Sequence, residues 1–140
     1  MKWITHSQVH VDRTACAWLI TRFIDSDAEL LFVLKSRLLE MARAEGAIPY
    51  DGPGVELGHH DGKCSFEAFV SRYALTDPGI LRMAKIIHTA DTDDPVKDPI
   101  AAGLCAIAVG YNLIYPSDLD NLEHQFEVYD ALYAWCRLGK

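Results

Sequence analysis

Trp3-Ile4-Thr5, then Asp12-Arg13-Thr14-Ala15-Cys16-Ala17-Trp18-Leu19-Ile20-Thr21-Arg22-Phe23-Ile24, then Glu29-Leu30-Leu31-Phe32-Val33: the reading of these three segments decides the fold class. The outer two are short and built from β-branched, aromatic and aliphatic residues, so they read as strands, the second the more buried. In the middle segment Ala15, Trp18, Leu19 and Phe23 recur at helical spacing, and Asp12 stands where an N-cap belongs. Two strands joined by one helix make a βαβ unit, which favours a parallel pair.

Working outward, residues 36–45 form an amphipathic helix stopped by Gly46, and 47–50 form a third strand. Asp51-Gly52-Pro53-Gly54 is a dense turn signal, with a fourth strand or sheet edge expected at 55–57. A loop at 58–63 leads into a helix over 64–73. Beyond it everything reads as helix. Thr76-Asp77-Pro78 starts one that runs to about Ala90, a polar linker occupies 92–99, and apolar 100–115 and amphipathic 119–137 follow. The expected architecture is α/β (α+β-like). A small, mainly parallel sheet from the N-terminal half packs with a C-terminal helical bundle, in a single domain over 1–140.

Composition bounds the function. The 13 Lys and Arg against 20 Asp and Glu leave a formal charge of −7, and no basic patch gathers locally. This argues against nucleic acid, whose phosphates are held by Lys and Arg. The N-terminus has no apolar core of a secretory signal. The longest mostly apolar stretch, 100–113, is too short for a bilayer and suits a core helix. Cys16, Cys64, Cys105 and Cys136 form no CxxC, so reduced thiols in a cytoplasm are expected. Cys16, Cys105 and Cys136 lie in apolar patterns and read as core. On the last helix Phe126, Tyr129, Leu132, Tyr133 and Trp135 make an aromatic stripe, expected to be core or a homodimer face.

The six histidines are unevenly placed. His6 and His10 flank the exit of the first strand, His59 and His60 sit between Gly58 and Gly62, and His88 falls near a helix end; His124 stands apart. In an extended segment His10 and Asp12 share a side, offering imidazole and carboxylate to zinc, manganese or ferrous iron. Their position beyond a first strand is where open α/β folds place ligands. Glycines around His59 free that loop to face a metal, and Glu67 follows in the first turn of a helix. His88 and Asp91, three apart, share a helix face. Each pair also has a plain reading: an N-cap, a polar turn, a charge matched to a helix end. Three segments each supplying an imidazole beside a carboxylate favour a shared divalent-metal site. No G-x-S-x-G, Walker or G-x-G-x-x-G motif offers other chemistry.

The segments Trp3-Ile4-Thr5, His10-Val11-Asp12-Arg13-Thr14-Ala15-Cys16, Pro53-Gly54-Val55-Glu56-Leu57-Gly58-His59 and Cys64-Ser65-Phe66-Glu67 resemble the chromate resistance ChrB domain family, as does the terminal Val128-Tyr129-Asp130-Ala131-Leu132-Tyr133-Ala134-Trp135. The resemblance covers nearly the whole chain. It implies a bacterial protein linked to chromate (oxyanion) resistance. Longer members carry an additional N-terminal region and act as chromate-responsive regulators; because this sequence begins at the matching segment, a role without DNA binding is expected. A fainter similarity to DHH-type metal-dependent phosphohydrolases concerns the order of His and Asp segments; their Asp-His-His triplet is replaced here by Gly58-His59-His60.

Three functions compete. In the first, His10, Asp12 and His59 ligate a divalent metal (Zn, Mn or Fe), with Glu67, His88 and Asp91 as further ligands or supports. The site then binds or senses an oxyanion such as chromate, with Arg13 as anion partner. In the second, the same metal serves an enzyme, hydrolytic or chromate-reducing. In the third, the histidines are incidental and the terminal aromatic helix is an interaction surface.

Overall fold

β1 (Lys2–His6) lies in the middle of a three-stranded parallel sheet, flanked by β2 (Glu29–Val33) and β3 (Ile48–Pro49). The computed structural model describes residues 1–139. Trp3 stands opposite Leu30 on one side and Ile48 on the other. The middle strand is covered on both edges, so Trp3, Ile4 and Thr5 are fully buried. β2 was expected to be the more buried strand, yet as an edge strand it is only half-buried, with Glu29 exposed. The fourth strand does not form. Asp51 and Gly54 both adopt positive φ and bend 51–57 into a loop. It touches the sheet through a single bridge from Tyr50 to Leu57.

α1 (Val11–Leu19) joins β1 to β2 and ends in a π-helical turn, Ile20–Ile24, closed by the Asp25 N–H donating to the Ile20 carbonyl at 2.7 Å. Its N-cap is His10, not Asp12. Asp12 lies inside the first turn and its carboxylate serves another helix. A 3₁₀ turn (Lys35–Arg37) leads into α2 (Leu38–Glu45), which stops at Gly46 with φ +61°, the left-handed C-terminal conformation glycine accepts without strain. α3 (Ser65–Arg72), α4 (Pro78–Thr92), α5 (Pro99–Ile114) and α6 (Asp118–Cys136) complete the chain. Asp77 caps α4 as its sequence signal predicts, accepting from the N–H groups of Gly79 and Ile80.

One apolar cluster unites sheet and bundle, with Trp3, Trp18, Phe66, Phe69, Met83 and Tyr129 among its largest members. The expected α/β layout, a small parallel sheet packed with C-terminal helices, is what the chain adopts. α5 is less buried than its composition predicts. Ala101, Leu104 and Ala108 are buried along one face, Ile100 and Cys105 pack partly against the core, and Ile107, Val109, Leu113 and Ile114 are exposed. Cys105 on this helix is accordingly half-buried, whereas Cys16 and Cys136 are core residues; all four cysteines are free thiols. On α6, Tyr129 is fully buried and Phe126, Leu132 and Tyr133 pack partly against the core. Trp135 is the exposed end of that stripe, with the Arg82 guanidinium 4.1 Å above its ring. No helix among the described residues is long and apolar enough to cross a membrane.

Candidate metal centre

A carboxylate buried at the junction of three elements organises the site. The Asp12 side chain, 2% exposed, points away from α1 to the start of α3. There it accepts the N–H of Ser65 at 2.9 Å and of Phe66 at 3.0 Å. These amides have no partner within their own helix, and the positive end of α3 favours an anion. The Cys16 thiol donates to the same group at 3.7 Å. Burial opposes the charge on Asp12, but the contact with His59 and the two amides outweigh it and hold the carboxyl below its usual range.

The Gly58-to-Gly62 loop brings His59 to this group. Its Nε2 is 3.1 Å from Asp12 Oδ2 and 3.0 Å from Asp91 Oδ2, with Asp51 Oδ1 3.6 Å away. Three carboxylates thus surround one ring nitrogen. The contact with Asp12 raises His59 to about 9 despite partial burial, with the charges of Asp91 and Asp51 adding to the effect. Asp91, near the end of α4, is pushed up to about 6 by burial and by the charge of Asp12. Its buried Oδ2 has no hydrogen-bond partner among the described residues, although His59 Nε2 lies 3.0 Å away. Asp51 is also raised, by burial and then by Asp12, although Ser65 Oγ donates to it at 2.6 Å and Arg13 Nε at 2.8 Å.

One nitrogen and two oxygens, from Asp12, His59 and Asp91, lie within 4.8 Å of one another. Two ligands about 2.1 Å from a tetrahedral ion stand roughly 3.4 Å apart, so the spacing suits a small divalent cation. Asp51, the third carboxylate beside the His59 nitrogen, is the one the sequence reading missed. Its setting, Asp51-Gly52-Pro53-Gly54, announces a turn so strongly that the carboxylate passes for a turn residue; only its positive φ of 47° marks it as unusual.

The other expected ligands divide. Glu67 and His88 do not join Asp12; they form a separate group with Cys64, with His88 Nδ1 2.7 Å from Glu67 Oε1. His10 joins neither group among the described residues. The convergence expected of His10 and Asp12 required an extended segment, but helix α1 already begins at Val11. His60 pins the loop, its Nε2 facing the carbonyls of Val55 and Glu56 at 3.0 and 2.9 Å. His124 stacks on Tyr115 at 4.1 Å, far along the chain from both groups.

Beside His59 opens a cavity of about 350 Å³, lined by His6, Arg13, Lys35, His60, Asp51 and Asp91 among others. Arg13, the expected anion partner, reaches this cavity but is largely committed. Its Nε donates to Asp51, and its Nη1 to the carbonyls of His6, Ser7 and Gln8. Lys35 on the cavity wall is exposed.

The family model described as ChrB, C-terminal domain, matches residues 3–136. The chain belongs to the ChrB C-terminal domain family. Protein ChrB of Cupriavidus metallidurans (strain CH34) is 34% identical over 135 residues, which is 95% of this chain and 40% of that protein. The chain therefore spans less than half the length of this curated ChrB relative. No solved structure matches it. The match takes in Asp12, Asp51, His59, Cys64, Glu67, His88 and Asp91.

Proposed function

We propose that this chain is a divalent-cation-binding domain of a chromate-resistance protein, with Asp12, His59 and Asp91 as ligands and the adjoining cavity as the place where a tetrahedral oxyanion meets the bound ion. The observation that carries this is the crowding of Asp12, Asp51 and Asp91 around a single imidazole nitrogen. Protonated His59 and Arg13 together leave one negative charge uncompensated among these groups. A divalent cation replacing the His59 proton balances them. Imidazole with carboxylates is a donor set for Zn, Mn or ferrous iron. The cavity supports the oxyanion half of the reading, because Lys35 and Arg13 line it beside His59.

Elemental analysis of purified protein, followed by thermal shift with Zn, Mn and Fe(II), tests the ligand set. Uptake at this centre should disappear in His59→Ala and in Asp91→Asn. Unchanged stoichiometry in both variants refutes it. Chromate retention in equilibrium dialysis should then require the bound ion and should weaken in Lys35→Ala; retention indifferent to both removes the oxyanion part.

A further inference from the structure

Cys64, Glu67 and His88 place a sulfur, an oxygen and a nitrogen within 4.8 Å of one another. Cys64 is the N-cap of α3 and fully buried, Glu67 is its third residue, and His88 reaches over from α4. Part of this arrangement is ordinary capping. Glu67 Oε1 accepts the Cys64 N–H at 3.0 Å and the Cys64 side chain faces the Glu67 N–H in return, so the two residues form a capping box. Capping does not account for His88. A thiol is a poor substitute for the Ser, Thr, Asp or Asn that N-caps favour, and the box has no use for an imidazole at 2.7 Å from Glu67. Thiol, carboxylate and imidazole at this separation form a donor set that can hold a metal ion.

We infer that Cys64, Glu67 and His88 form a second cation site, of the zinc class, beside the Asp12 centre. A donor set with one sulfur and one imidazole is softer than the all-N/O set around His59, which selects Zn over Mn. Loading breaks the S–H bond of Cys64, the sulfur binds the cation, and the proton passes to solvent. The fold sets the two sites side by side. α4 sends His88 to one and Asp91 to the other, three residues apart, while α3 caps itself with Cys64 and gives its next two amides to Asp12. The second site stands on its own donors, so it can hold where the first fails.

Metal-free protein titrated with Zn(II) and, as a spectroscopic probe, Co(II) decides the matter. Wild type should take up two Zn per chain, and Co(II) should produce a sulfur-to-cobalt charge-transfer band. Cys64→Ser, in which serine retains a good N-cap, should lose the band and one Zn, while its metal-free form melts like metal-free wild type. His88→Gln, at a half-exposed position where folding is not at stake, should weaken Zn binding at this site by more than about tenfold. His59→Ala should lose the other Zn and keep the band. A band that is absent from wild type, or that persists in Cys64→Ser, overturns the second site. A band with only one Zn per chain, unaffected by His59→Ala, upholds it and removes the Asp12 centre instead.

Discussion

Asp12 shows how one residue can serve structure and chemistry together. It is buried, it holds the first amides of α3, and it holds His59. Bonds from amides to a charged acceptor contribute about 1.5–3 kcal/mol each. Asp12→Ala should therefore lower unfolding free energy in urea by about 3 kcal/mol or more, with α3 the first helix to lose amide protection. An unchanged midpoint rules out this role. His59 gives the complementary pH test. Its ordinary value is 6.5 and in the fold it is raised to about 9. A raised basic group stabilises fully below the lower value and loses that contribution as pH climbs through the higher one. The metal-free protein should lose stability between pH 6.5 and about 9, and His59→Gln should flatten that slope. An equal slope in the variant refutes the assignment. At this scale the sequence was half legible: His59 and Asp91 declared themselves by type and neighbours, whereas Asp51 was concealed by its turn and His10 was promoted by a strand geometry it does not have.

Helices were the most readable elements, because their signals are local. Asp77-Pro78 opens α4 and Gly46 closes α2 as their residue types require. Asp77 also receives the Tyr133 hydroxyl at 2.6 Å, tying α4 to α6. Asp77→Ala should cost about 1 kcal/mol from the cap, with a further loss from the released tyrosine, measured by thermal unfolding. No loss at all discards the cap assignment. Strands were read less well. Periodicity and composition identified β1 and β2 but not their order in the sheet, and order decides which is buried. The short segment Val55-Glu56-Leu57 lost its strand to the positive φ values at Asp51 and Gly54, a backbone preference that residue types signal only weakly. Helix α5 was misjudged for a similar reason. An apolar composition states that a helix can be buried, but only packing states how much of it is.

At the scale of the molecule, the two donor groups tie together pieces of chain that are otherwise joined only by packing. Asp12 comes from α1, His59 from the central loop, and Asp91 and His88 from α4. A ligand that binds only the folded state stabilises it in proportion to saturation, by about 2.7 kcal/mol at a hundredfold excess over Kd. Strong chelators should therefore lower the melting temperature by several degrees, reversed on adding Zn(II), and the effect should vanish in a His59→Ala/Cys64→Ser double variant. A melting temperature indifferent to chelation contradicts both centres. The spread of these donors also has a consequence in time. A chain leaving the ribosome carries Asp12 long before it carries Asp91, and the acidic group has no complete form until α4 has emerged. Cleavage ahead of α4 should therefore separate Asp12 and His59 from Asp91 and yield fragments that lack the complete proposed centre.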